Sequence, residues 1–456
     1  MKVLLVFAPY TNMKNVTTNQ FPLGLAYLAS YIHSKGVNVL IADLRQEKKG
    51  EYLKLLADFA PDVVGISCMT PTQNEAYAVA RLTKSVRSRS LVILGGVHAS
   101  FKYEEVLTKV SDIDLVVIGE GEITLGEICK AWEGGLTPTK LSEIHGIAFR
   151  DNGTIVVTSE REKIENLDEL PGPTFDLVAI PSEKDYFQNA KDLPVLTSRG
   201  CPFKCAFCST SVMHGQKYRK RDPIKIVDEL EYLKNKYHPG SFSFVDDTFT
   251  VDKERTRKIC YEIIHRNLDI AWGCSARVDT LSPDMIKLMR KAGCNGLFFG
   301  IESLNDEVLQ TIKKGFKARK AINMVKMAME EGMVVDTSFI LGLPGDNLKN
   351  TRKIYNFVKK QKVNGRVLTN TLQILPGTDM YINPEEYGIN YSTNYKSTWA
   401  NSVSFAKELT FKELLKEKVK IQLMNYENHF EDPRLYEIPY PSVNYDEEEL
   451  SNLNGY

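Results

Sequence analysis

Ser198-Arg199-Gly200-Cys201-Pro202-Phe203-Lys204-Cys205-Ala206-Phe207-Cys208 follows an apolar, strand-like run and sets three cysteines in a Cys-x3-Cys-x2-Cys loop. With 8 Cys in 456 residues, this spacing arises by chance roughly 0.002 times per chain. Three thiolates in one short loop can hold three irons of a [4Fe–4S] cluster, because soft sulfur suits iron–sulfur chemistry, and the fourth iron is then left open. A structural zinc site would need a fourth Cys or His at short range, and the nearest candidate is His214 in a Gly-containing segment. Cys68, Cys129, Cys260, Cys274 and Cys294 are scattered in or beside apolar runs, where a free Cys behaves as a small hydrophobe. A disulfide framework fits that scatter poorly.

The loop resembles the signature of the radical S-adenosylmethionine (SAM) superfamily. That resemblance implies that the open iron chelates the amino and carboxylate groups of SAM. One electron from the reduced cluster then cleaves SAM to methionine and a 5′-deoxyadenosyl radical. It also implies that the backbone of Phe207 meets adenine, and that an electron donor such as flavodoxin or ferredoxin serves the cluster.

Outward from the loop, residues 192–378 read as six β/α units. Strand candidates are Pro194 to Arg199, Ser241 to Asp246, Ile270 to Ser275, Gly296 to Ile301, Val334 to Leu341 and Val367 to Leu375, with helical patterns such as Ile224 to Tyr237 between them. Six units predict an incomplete (β/α)6 barrel, the fold the resemblance also implies. Catalytic groups then belong at the carboxyl ends of the strands. Those ends carry Asp246-Asp247, Ser275-Ala276-Arg277-Val278-Asp279, Glu302-Ser303 and Gly342-Leu343-Pro344-Gly345. By resemblance, Glu302 and Ser303 serve the ribose or methionine part of SAM, Ser275 and Arg277 its polar groups, and Gly342 to Gly345 the adenine. The ordinary alternatives are helix caps at Asp246 and Asp279 and close packing at Gly300.

Residues 1–145 alternate short apolar strands with amphipathic segments, which predicts a Rossmann-like, doubly wound parallel sheet and an α/β fold class overall. Ligands of such sheets bind beyond the carboxyl ends of the strands. Here those ends carry Pro9-Tyr10, Ser67-Cys68-Met69-Thr70, Gly95-Gly96-Val97-His98 and Gly119-Glu120-Gly121-Glu122. Together with Phe21-Pro22-Leu23-Gly24-Leu25-Ala26-Tyr27-Leu28-Ala29, they resemble the cobalamin-binding domain that precedes many radical SAM domains. The resemblance implies cobalamin contacts at Ser67, Met69, Gly95, Gly96, His98, Gly119, Glu120, Gly121 and Glu122. The Asp-x-His-x-x-Gly stretch whose His ligates cobalt in better-known cobalamin modules is absent, which fits cobalamin bound without a protein His on the metal.

Residues 146–191 form a hairpin around Asp151-Asn152-Gly153 and then a linker with Pro171 and Pro173. Residues 379–456, with Tyr381, Tyr387, Tyr391, Tyr395, Trp399, the amphipathic run Phe411 to Tyr426 and the acidic Asp446 to Glu449, read as a mostly helical capping or substrate region. Lys and Arg total 58, as do Asp and Glu, so a nucleic-acid footprint is not expected. The basic run Lys217-Tyr218-Arg219-Lys220-Arg221 reads as a solvated face or a cofactor contact. The opening Met1 to Pro9 is too short for a secretory signal and no stretch matches a membrane span, so a cytoplasmic enzyme is expected.

These readings converge on a cobalamin-dependent radical SAM enzyme acting on a small-molecule or peptide substrate. C-methylation is the expected reaction, and cyclisation or rearrangement the alternative. Further alternatives are a radical SAM enzyme whose first domain holds no cobalamin, and a non-catalytic iron–sulfur sensor or scaffold. A methylthiotransferase would carry a second cysteine trio near the N-terminus, where only Cys68 and Cys129 precede the loop.

Overall fold

The computed structural model describes residues 1–9, 21–45, 48–181, 192–389 and 411–429, the last without the side chains of residues 411 and 426–429. The expected sites at Tyr10, Tyr391, Tyr395, Trp399 and Asp446 to Glu449 lie outside these residues.

The first sheet contains β1 (Lys2–Phe7), β2 (Asn38–Asp43), β3 (Val63–Ser67), β4 (Leu91–Gly95), β5 (Leu115–Val117), β6 (Ile147–Asp151), β7 (Thr154–Val157) and β8 (Val178–Ile180). Its order is β7-β6-β5-β4-β3-β1-β2-β8, with β6 antiparallel to both of its neighbours, β5 and β7, and the other pairs parallel. The order reverses at β1, between β2 and β3, which is the crevice where doubly wound sheets take their ligands. Strand β1 is apolar on both faces because both are covered. Leu4 and Val6 enter one core, while Val3 and Leu5 enter another that runs on through Phe175 and Leu193 into the second sheet.

The linker departs from the sequence pattern and the hairpin follows it. The linker supplies β8, which pairs with β2. Its Phe175 sits edge-on to Phe21 at 4.9 Å and to Tyr237 at 5.5 Å, tying the linker to both layers. The hairpin forms as expected, with Asn152 (φ 46°) and Gly153 (φ 83°) in the left-handed region its tight turn needs.

The second sheet is an open six-stranded barrel wall. It contains β9 (Asp192–Val195), β12 (Ser241–Phe244), β13 (Trp272–Ala276), β14 (Cys294–Glu302), β15 (Val334–Leu341) and β16 (Val367–Thr371), all parallel. The first barrel strand ends sooner than expected. Asp246 Oδ1 accepts from the backbone N–H groups of Thr197 (2.7 Å) and Ser198 (3.2 Å), pulling the chain out of the ladder. The next two residues form β10 (Ser198–Arg199), paired antiparallel with β11 (Arg219–Lys220). At the far edge, the helix Phe411–His429 packs on β16, where buried Asn425 accepts from Val367 N–H (3.0 Å) and donates to Gly365 O (3.1 Å). The described part of the C-terminal region therefore caps an open sheet edge. Among the described residues, no helix is long and apolar enough to cross a membrane.

Candidate active site

The cysteine loop is closed at its base by the β10–β11 pair and pinned from two sides. Ala206 N–H donates to Ile312 O (3.0 Å), Met380 N–H donates to Ala206 O (3.0 Å), and Cys201 N–H donates to Gly215 O (3.2 Å). Gly200, at φ 91°, starts the loop, and a Cβ there would lie 2.3 Å from Lys217 O, so only glycine fits. The three thiols are half-buried and all eight cysteines are free. Burial pushes the thiols of Cys201 and Cys208 up, against hydrogen bonds from Thr248 and Thr210 respectively. Among the described residues, no three His, Cys, Asp or Glu side chains converge on a single-ion site. His214 faces Glu120 instead, its Nδ1 3.8 Å from the carboxylate.

Around the barrel mouth the expected residues are held by their own partners. Glu302 sits at a register shift between β14 and β15 with φ 71°, a left-handed conformation that is costly for a side-chain-bearing residue. Its carboxylate accepts from Lys314 Nζ at 3.1 Å and from Ser338 Oγ at 3.4 Å. A Cβ on Gly300 would stand 2.5 Å from that carboxylate, so Gly300 makes room for it. Lys314, which the sequence reading did not single out, is buried and stands over the Phe207 ring at 5.6 Å. Arg277 is paired with Asp279, Ser282 rather than Asp279 caps the helix that follows, and Asp246 serves the β9–β10 break. Ser303 is buried, with its Oγ accepting from Asn305 N–H (3.2 Å). Ser275 is half-buried, and its carbonyl accepts from Phe249 N–H. Gly342 (φ 77°) donates to Asp346, whose buried carboxyl is pushed up to about 6 by desolvation.

A cavity of about 510 Å³ lies between the two sheets. One wall is the carboxyl edge of the first sheet, through Phe7, Ser67, Met69, Gly95, Gly96 and Gly119 to Glu122. The other wall is Leu196, Ser198, Arg199, Met213, His214, Val245 and Asp247, beside the cysteine loop. Pro22, Leu25, Tyr27 and Leu28 of the Phe21 to Ala29 stretch complete it. Of the expected first-domain residues, His98 alone does not line the cavity. Its buried ring is 3.2 Å from both Tyr77 Oη and Thr70 Oγ1, and burial pulls its pKa down to about 4.

Glu120 and Glu122 do more than line the wall. Arg219 donates to both oxygens of Glu120 (2.9 and 2.6 Å), Arg199 donates to Glu122 (2.5 Å), and Glu120 also accepts from Ile164 N–H (3.0 Å). All four charged side chains are buried. Burial alone would raise the Glu120 carboxyl, but His214, Arg219 and the charge of Arg199 outweigh it and hold the carboxyl well below the usual range. These pairs join the first sheet's edge to the strands bracketing the cysteines. The rest of the basic run is paired too, Lys217 with Glu165, Lys220 with Asp252 and Arg221 with Glu229. On the other flank, Phe101 packs on Gly377 and Lys102 donates to Tyr381 (2.5 Å).

The residues fit the cofactors expected. Three thiols on one pinned loop suit a cluster. The cavity is apolar in body, within the size range of cofactor sites, and bordered by bare backbone. A Cβ on Gly24 or Gly119 would meet nothing within 4 Å, so both border open space.

The Radical SAM superfamily pattern matches residues 195–358, and the B12 binding domain pattern matches residues 11–129. The chain is 33% identical over 422 residues to an uncharacterized methyltransferase, PH0819, of Pyrococcus horikoshii, covering 92% of this chain and 90% of that one. It is 29% identical over 371 residues to the anaerobic magnesium-protoporphyrin IX monomethyl ester cyclase of Rubrivivax gelatinosus, covering 79% of this chain and 66% of the cyclase. The fold matches that of the radical SAM methyltransferase TsrM from Kitasatospora setae, with a TM-score of 0.70 at 19% identity over 86% of this chain and 77% of TsrM. The chain belongs to the radical SAM superfamily, in the cobalamin-dependent group of methyltransferases and cyclases with a B12 binding domain. A [4Fe–4S] cluster, SAM and cobalamin are the cofactors of that group.

Proposed function

With that membership as premise, we propose that the chain methylates an unactivated carbon of a small-molecule or peptide substrate. The observation that carries this reading is the cavity: it opens at the switch point of the first sheet and ends at Asp247 and His214, against the cysteine loop. When bound, the cluster with SAM supplies a radical that removes hydrogen from carbon, and cobalamin supplies the methyl group.

The chain's own groups position and protect. Cys201, Cys205 and Cys208 would hold the cluster on a loop that Gly200 and Ala206 fix in place. Glu302 would take the ammonium or hydroxyl groups of SAM, and Lys314, paired with it and standing over Phe207, the carboxylate. The apolar cavity wall would exclude water from the reacting groups. A flavodoxin or ferredoxin is the proposed electron donor. A cytoplasmic setting is proposed from the eight free cysteines. The second reading is cyclisation, favoured by the likeness to the Rubrivivax cyclase.

The test is anaerobic purification from cells supplied with cobalamin, then metal analysis and incubation with SAM and reductant. Bound cobalamin with release of 5′-deoxyadenosine is expected. S-adenosylhomocysteine formed alongside it would mark methylation, whereas its absence would favour cyclisation. A cluster without cobalamin would mean that the first domain serves substrate or partner alone. A cluster without SAM turnover would mean a sensor or scaffold.

A further inference from the structure

We propose that Arg277 raises the reduction potential of the cluster by donating a hydrogen bond to the sulfur of Cys205. The inference rests on the reading of the cysteine trio as cluster ligands. In this structure the Cys205 thiol stands for the cluster-bound thiolate.

Arg277 follows the last residue of β13, and its guanidinium is held on several sides. Nε and Nη2 donate to the Asp279 carboxylate at 3.0 and 2.9 Å, and Nη2 also donates to Lys314 O. The guanidinium carbon stands 3.6 Å from the centroid of the Phe203 ring, and Phe203 belongs to the cysteine loop itself. The remaining nitrogen, Nη1, points at Cys205 Sγ from 3.6 Å. At 6% exposure the group is nearly dry. Two of its nitrogens are committed to Asp279, so the two-pronged grip on a SAM carboxylate is not free. What the guanidinium still offers is Nη1, whose contact is the Cys205 sulfur.

The other two sulfurs have different neighbours. Cys201 Sγ lies 4.0 Å from Thr248 Oγ1, Cys208 is hydrogen-bonded by Thr210, and the charge that acts on both is the carboxylate of Asp247. Among the described residues, a cationic donor, Arg277, therefore stands against the sulfur of Cys205, whereas hydroxyl groups stand against the other two. Reduction adds one electron from an external one-electron donor and takes the cluster from the 2+ to the 1+ state. The added negative charge is stabilised by a cation and an N–H at its ligand, so both raise the potential. Arg277 is a positioning residue in this sense: it acts on the cluster through Cys205. One charge-assisted hydrogen bond changes the equilibrium about tenfold, which is about 59 mV for one electron.

The test is a redox titration of the anaerobically reconstituted protein, followed by the EPR signal of the reduced cluster, with iron counted in each sample. Arg277→Gln should lower the midpoint by about 59 mV, and Arg277→Lys, which keeps the charge, by less. A wild-type midpoint in Arg277→Gln at full iron content overturns the proposal. Should that variant retain no cluster, the wild-type protein carrying guanidino-15N arginine decides by pulsed EPR. A 15N coupling to the reduced cluster that Arg277→Lys abolishes supports the proposal, and its absence overturns it. A wild-type protein that takes up no four-iron centre would sink the reading of the loop itself. A four-iron centre indifferent to Arg277 sinks only this inference.

Discussion

The two sheets present the carboxyl ends of their parallel strands to the same interior, and they furnish them differently. The first sheet borders its cavity with bare backbone at Gly95, Gly96, Gly119 and Gly121 and with apolar side chains, and Gly24 of the helix Leu23–His33 adds to the border. The second sets charge pairs beside the cysteine loop, the buried Glu302 and Lys314 with Lys314 over Phe207, and the buried Arg277 with the half-buried Asp279. One edge is shaped to admit a bulky ligand by close backbone approach. The other is shaped to hold and move charge where water is scarce. The same strand-end rule thus yields two sites, and the Glu120–Arg219 and Glu122–Arg199 pairs fasten one to the other.

The sharpest break of this comparison removes sulfur alone. Cys205→Ala should drop SAM cleavage to the uncatalysed background and empty the protein of iron, while cobalamin binding persists, because the cavity is built by other residues. Iron and cobalamin counts on one sample check this, and loss of both together would show that the edges are not separate sites.

Cutting the fastening comes next. Glu120→Ala leaves the buried Arg219 guanidinium without its carboxylate, at a cost of about 3–5 kcal/mol, measurable by urea unfolding of the apoprotein. A change below about 1 kcal/mol, as for an exposed pair, would mean that the pair is solvated.

Acid separates the two edges further. Glu120 is held below its ordinary value of 4.5, so it contributes stability above that pH which is lost as the pH falls through the lower folded value. Asp346 runs the other way. Its pKa is raised from 3.8 to about 6, so folding favours its protonated form and stability declines as pH rises from about 4 to 6. Relative to Asp346→Asn, the wild type should lose up to about 3 kcal/mol over that window. Parallel stability curves for the two proteins would contradict this.

The smallest effect on the fold is expected at the cavity border. Gly24→Leu places its side chain beside open cavity space and should change stability by less than about 0.5 kcal/mol. Cobalamin retention on gel filtration should nevertheless fall, and unchanged retention would move the ligand away from that wall.

Much of this was legible in the sequence, because the signals are local. Three cysteines in one loop, glycine pairs after apolar strands and six repeats of strand and helix each lie within a few dozen residues. The pairings that assemble the site are not local. Glu120 and Arg219 are 99 residues apart, and Glu122 and Arg199 are 77 apart. Glu120 and Glu122 therefore read as cofactor contacts, with nothing in the pattern to show that each already had an arginine. Lys314 went unnoticed for a related reason. A lysine in a short run of Lys and Gly looks solvated, and only the left-handed turn at Glu302 brings the carboxylate that buries it. His98 sits next to a cavity glycine pair, yet Tyr77 and Thr70 turn its ring elsewhere. The early end of β9 was invisible because Asp246, the cause, lies on the neighbouring strand's end.

The most direct test of the account is anomalous X-ray diffraction from crystals of the cobalamin-loaded, reconstituted protein, collected at the iron and cobalt edges. A four-iron centre bound by Cys201, Cys205 and Cys208 is expected, with cobalt in the cavity between Gly95, Gly119 and Asp247. A single metal ion at the three thiols, or cobalt outside that cavity, would contradict it.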